Sequence, residues 1–196
     1  MGLYGLVSVL LVCIPAVLGQ FWGFGGCPKC WNNNDVHPMV LYCKATYALK
    51  IKPEKKEGNT FTAQVQKVYK GSCRQSRVTI NTDCADYFEL KKPYIILASG
   101  YDSGNEVVLN MRACDFKEIA KDFPCVQRTA FQYGYDCNCA DMCVPPTKEY
   151  EASSQTRTDC FNKYVKCEKS QHYPYKCIRV FHHYYKPCLS SNGYGY

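Results

Sequence analysis

Beyond its first nineteen residues the sequence has no apolar run of about 20 residues, which excludes a transmembrane helix from the remainder. No Asn-X-Ser/Thr triplet occurs, so N-glycosylation is not expected. Charged side chains are scarce at 21%, while aromatics reach 14%, a balance that excludes a disordered polar chain. Acidic residues are the rarer sign, 17 against 24 Lys and Arg. The resulting net charge of +7 favours acidic partners without identifying nucleic acid. Histidine occurs only four times, and no internal repeat is evident.

Cysteine is what the sequence has in excess. Fifteen in 196 residues is about 8%, near the range of disulfide scaffolds and unlike a reduced cytosolic enzyme. Residues 1–19 carry no charged side chain and hold an apolar run from Leu6 to Leu18. Val17 and Gly19 suit the −3 and −1 positions of a signal-peptidase site, so a secretory leader cut before Gln20 is expected. Cys13 leaves with it, and the fourteen that remain are an even number, most simply seven bridges with no free thiol. Composition leaves their pairing open.

The residues after the leader divide into three parts. Residues 20–26 are a Gly-rich, aromatic lead-in. From Cys27 to Cys143, short apolar or alternating segments are separated by turns. Strands are expected at Tyr42–Lys52, Phe61–Tyr69, Arg77–Ile80, Tyr94–Ala98 and Glu106–Met111, with a charged turn over Pro53–Gly58. Asp115–Asp122 has helical spacing, and Pro124 is placed to end that helix. Five short strands and one late helix predict an all-β fold with a minor helix, a five-stranded barrel of the OB kind. Val144-Pro145-Pro146 marks a boundary, and residues 144–196 form a smaller module rich in cysteine and tyrosine.

Several constellations invite a chemical reading. Cys27-Pro28-Lys29-Cys30 has redox-motif spacing, but thioredoxin chemistry needs a βαβ context that this pattern lacks. Cys27, Cys30, Cys137 and Cys139 have the wrong second spacing for a zinc ribbon. His182 and His183 are adjacent, a poor chelate on a strand, where neighbours point to opposite faces. An even cysteine count leaves no thiol nucleophile, and no carboxylate pair stands out for acid–base work. An enzyme is therefore not expected. Seventeen tyrosines, crowded toward the C-terminus among Lys and His, fit packing of small β modules. They equally fit association with extracellular matrix proteins or acidic polymers.

One ordered series of motifs is more specific. Cys27-X-X-Cys30 is followed by Val36-His37-Pro38, Tyr42-Cys43-Lys44-Ala45, Lys67-Val-Tyr-Lys-Gly71, Cys84, Tyr94–Ala98, Cys114-Asp115-Phe116 and Cys137-Asn-Cys139. In order and spacing this resembles the tissue inhibitors of metalloproteinases, built on the netrin-like domain. The likeness spans Cys27 to about Cys143. It implies a netrin-type OB barrel over 27–143 and bridges Cys27–Cys84, Cys30–Cys114 and Cys43–Cys137. Extended to the C-terminal module, it suggests Cys139–Cys188 and Cys160–Cys177; Cys73 and Cys125 have no counterpart in that family and are expected to form an additional bridge, which leaves Cys143 for Cys167.

The resemblance also implies a function. In that family the first mature residue is a cysteine whose α-amine and carbonyl oxygen chelate the zinc of the target protease, displacing its catalytic water. Carried over, the chelator is Cys27, provided its amine is free. The contact ridge is Cys27, Pro28, Lys29 and Cys30 together with Thr82, Asp83 and Cys84. The only metal involved is the target's zinc; no cofactor of the chain's own is implied. Two residues separate Cys27 from Cys30 where the family has one, and cleavage before Gln20 leaves seven residues ahead of Cys27. The expectation is a secreted inhibitor of zinc metalloproteases. Its alternative is an extracellular matrix protein that keeps the fold and binds through its basic, Tyr-rich surface.

Overall fold

The structure is a computed structural model that describes Cys27 and residues 36–143, 154–173 and 176–191. The chain is mostly β. Five strands, β1 (Tyr47–Glu57), β2 (Thr60–Lys70), β3 (Arg77–Thr82), β4 (Tyr94–Asp102) and β5 (Val107–Met111), close into an OB-like barrel. β1–β2, β2–β3 and β4–β5 pair antiparallel, while β3 and β5 run parallel. The barrel closes where Tyr47–Ile51 of β1 pairs with Tyr94–Ala98 of β4. Alternation fills the interior: Leu49, Ile51, Phe61, Ile80 and Leu109 are completely buried. Each such side chain stabilises the fold by about 1.5–3 kcal/mol.

β4 changes partners along its length. It faces β1 as far as Ala98 and pairs with β5 from Ser99 onward. Gly100 sits at this crossover opposite Leu109, and a Cβ there would lie 2.3 Å from the Val108 carbonyl oxygen. Gly100→Ala should therefore destabilise the barrel by about 1–3 kcal/mol, read as a lower urea midpoint. An unchanged midpoint would mean that β5 shifts freely.

Three sequence expectations are corrected. Tyr42 does not begin a strand: α1 (Pro38–Lys44) precedes β1, with Pro38 at its first position and His37 capping it. Pro53–Gly58 is not a turn: β1 continues to Glu57, and Gly58, at φ +60°, starts the hairpin to Thr60. A register shift at Pro53 accommodates the missing N–H. Asp115–Asp122 is not a helix. Lys117–Ile119 forms β6 along Tyr94–Ile96, the stretch of the β4 edge that β5 leaves unpaired. Pro124 then precedes α2 (Cys125–Tyr133) instead of ending a helix.

α2 packs on the outer wall of the barrel. Phe131 and Phe123, with ring centroids 5.0 Å apart, cover Ala48, Ile95 and Leu97 together with Tyr42 of α1. A 3-10 helix (Cys137–Met142) leads to the boundary region, and Val144-Pro145-Pro146 lies outside the described residues. The remainder comprises α3 (Ser154–Tyr164), the ribbon of β7 (Val165–Lys169) and β8 (Cys177–Phe181), and α4 (Tyr185–Ser190).

Bridges join Cys27 to Cys84, Cys43 to Cys137 and Cys143 to Cys167. Cys114 is also disulfide-bonded; the expected Cys30–Cys114 pairing involves Cys30, which lies outside the described residues. Three suggested pairings are wrong. Cys139 bonds Cys177 and not Cys188, because the 3-10 helix packs on the ribbon that Cys177 opens. Cys160 bonds Cys188 and not Cys177, because α3 packs along α4. Cys73 and Cys125 are unpaired thiols. Cys73 packs against the barrel interior, whereas Cys125 is exposed on the helix that covers the outer wall.

Candidate functional site

Cys27 is tied to the end of β3 through Cys84, which is almost fully buried within the interior cluster. The preceding turn is closed by its own side chain. The Thr82 hydroxyl accepts the Cys84 N–H at 2.9 Å and donates to the Cys84 carbonyl at 3.2 Å. The Thr82 N–H in turn donates to the Asn59 carbonyl at 3.0 Å, which fixes the turn to the β1–β2 hairpin. Of the ridge read from sequence, Cys27, Thr82, Asp83 and Cys84 are thus brought together. Pro28, Lys29 and Cys30 lie outside the described residues.

Behind Cys84 the chain carries a polar support that the sequence reading missed. The Tyr87 hydroxyl donates to the Asp115 carbonyl at 2.7 Å. Burial, followed by the nearby Asp115 and Asp83 charges, raises its pKa well above the usual tyrosine value. The Lys117 ammonium donates to the Tyr87 carbonyl and sits 4.1 Å from the Tyr87 ring centroid. Burial lowers the Lys117 pKa. Tyr87 and Phe88 meet edge to face at 4.7 Å, so the segment after Cys84 is anchored by aromatic packing. A cavity of about 530 Å3 adjoins Cys27, with Tyr87, Asp115 and Lys117 in its wall. β6 brings Lys117 there, which reading Asp115–Asp122 as a helix hid.

His37 is a structural residue and not a ligand. It is fully buried, its Nδ1 accepts the Met39 N–H at 3.1 Å, and its Nε2 donates to the Val165 carbonyl at 2.9 Å. Gln127, also fully buried, donates to the same carbonyl at 3.1 Å and to that of Asn162 at 2.6 Å. The two side chains hold the α3–β7 junction against α1 and α2. Burial lowers the His37 pKa to about 4, the Val165 hydrogen bond opposing it more weakly. His182 and His183 do not occupy a strand. β8 ends at Phe181, and their rings stack at 4.1 Å beside Tyr184.

No helix among the described residues is long and apolar enough to cross a membrane. The bridges are of the kind that persists in an oxidising compartment. Compared with protein-family models and with curated proteins, the chain matches none.

Proposed function

We propose that the chain is a secreted inhibitor of zinc metalloproteases, active in the form that begins at Cys27. The observation that carries this reading is the Cys27–Cys84 bond, which fastens a would-be N-terminal residue to the self-closed Thr82–Cys84 turn. A chelator attached to a buried barrel residue loses little conformational entropy on docking. In that form the Cys27 amine and carbonyl oxygen take two positions on the target's zinc, and the water that would attack a peptide is displaced. Thr82 and Asp83 line the second edge of the contact. The Pro28-Lys29 pair makes the ridge one residue longer than the resemblance implies, and the side chain after Cys27 is the one aimed at the specificity pocket.

Titration of a matrix-type metalloprotease with protein beginning at Cys27 tests the reading. Stoichiometric inhibition at nanomolar enzyme is expected. Full protease activity at micromolar concentrations of correctly bridged protein rejects it.

A further inference from the structure

We infer that Cys125 is the attacking thiol of an internal thiol–disulfide exchange with the Cys143–Cys167 bridge, which gives the chain two covalent isomers. The inference goes beyond protease inhibition and does not depend on it, since none of the three sulfurs belongs to the Cys27–Cys84 ridge.

A cavity of about 390 Å3 lies between α2 and β7, two elements that pack against each other. α2 contributes Cys125, Thr129 and Tyr133 to its wall, residues four apart and so on one face of the helix. β7 contributes Lys166, Cys167 and Glu168. An unpaired thiol and one half of a disulfide therefore line the same space. Residues far apart in sequence supply them, and the docking of α2 on the ribbon brings them together.

The other unpaired thiol, Cys73, is the contrast. It packs against the barrel interior, its sulfur donates to the Gln75 carbonyl at 3.6 Å, and burial pushes its pKa up. Cys125 is exposed, and it is the first residue of the nine-residue α2. Pro124 gives that helix no capping side chain, and its first turn holds no acidic residue. The positive end of the helix dipole is therefore not offset by a side chain of its own, and a negative sulfur at Cys125 meets it favourably. Thiolate is the attacking species in exchange.

Attack falls on Cys167, the half of the bridge that lines the cavity, while Cys143 is completely buried at the end of the 3-10 helix. The Cys125 proton passes to water, and the Cys125 sulfur bonds the Cys167 sulfur. The Cys143–Cys167 bond breaks, its electron pair leaves on the Cys143 sulfur, and that sulfur takes a proton from water. One thiol and one disulfide are consumed and one of each is formed, so no oxidant or reductant is needed. The ribbon stays attached throughout, because Cys139–Cys177 joins the 3-10 helix to β8 independently. The product fastens β7 to α2, the helix that covers the barrel, and replaces an exposed thiol by a buried one.

The test is incubation of the full chain at about pH 8 without added thiol or oxidant, where uncatalysed rearrangement takes minutes to hours. Samples are then alkylated with a maleimide in acidic denaturant and mapped by peptide mass spectrometry. A Cys125–Cys167 peptide and alkylated Cys143 should appear together, at a rate independent of protein concentration and with no change in the mass of the intact chain before alkylation. Cys125→Ser should lower Cys143 alkylation at least about tenfold, whereas Cys73→Ser should leave it within about twofold. Serine replaces an exposed side chain at Cys125, so this variant should melt close to the parent, which separates lost exchange from lost folding. Alkylation confined to Cys73 and Cys125 at every time overturns the inference. So does Cys143 alkylation that survives in Cys125→Ser, which would assign the opening of the bridge to another thiol. Loss of the Cys125 thiol at a rate proportional to protein concentration, with a doubled mass, also overturns it and makes Cys125 a link to a second copy. Protein whose Cys27 amine is acetylated should exchange at the same rate, which separates this reaction from the inhibitory reading.

Discussion

Acetylating the α-amine of protein that begins at Cys27 will weaken its inhibition of a zinc metalloprotease by at least about a thousandfold, equivalent to about 4 kcal/mol. An amine nitrogen binds zinc through its lone pair once its proton has left. In an amide that pair is delocalised into the carbonyl, so the nitrogen no longer donates to a metal. The Cys27 carbonyl oxygen remains, but a two-point chelate becomes at best a single contact, and the acetyl group occupies the space into which the zinc must fit. Residues 20–26 left in place should act in the same way, with greater bulk. The comparison is clean because the Cys27–Cys84 bridge and the Thr82 turn contain no atom of the amine. Free and acetylated forms should therefore melt at the same temperature. Inhibition constants should be measured with both forms against one protease. Equal constants would show that any inhibition runs through another surface and would remove Cys27 from the reading.

The barrel was legible where the two-residue period was clean. Phe61–Tyr69, Arg77–Ile80 and Tyr94–Ala98 lie within β2, β3 and β4, because in each a buried face imposes alternation or a short apolar run. The errors fall where tertiary structure outweighs local pattern. Lys117–Ile119 has good helix formers, but an unpaired stretch of β4 offers backbone hydrogen bonds that a short exposed helix cannot match. The Tyr42 region reads as apolar strand because one side of α1 packs on Phe131 and Tyr135. Nothing in the spacing of Cys139, Cys160, Cys177 and Cys188 states that α3 lies along α4 and the ribbon along the 3-10 helix. The Thr82-Asp83-Cys84 segment is singled out only by the family resemblance, and the Cys27–Cys84 bond is what sets it beside Cys27.

His37 couples this assembly to acid. Between pH 7 and pH 4 the protein should lose about 3 kcal/mol of stability through this side chain alone. Its pKa falls from 6.5 to about 4 on folding, so the unfolded chain takes up a proton first as the pH drops. The stabilisation is complete above pH 6.5 and disappears progressively as the pH falls toward 4. The structural cause is that both nitrogens are committed in the neutral ring, Nε2 donating to the Val165 carbonyl and Nδ1 accepting from Met39. A proton on Nδ1 turns that acceptor into a donor facing a donor. The rings of Phe161 at 5.6 Å and Tyr135 at 6.4 Å enclose the site. Other groups titrate in the same range; burial raises the Glu118 pKa, for example, which opposes the trend. The measurement is therefore a difference. Urea unfolding of the protein and of His37→Asn is compared at pH 7 and pH 4. The variant can still cap α1 but loses the Val165 contact, so it should be weaker at pH 7 by about 1–3 kcal/mol. It should also show the shallower pH dependence, the two proteins converging near pH 4. Parallel stability curves would mean that the folded protein tolerates a protonated His37. The junction of α1 with β7 would then not set the acid limit of the fold.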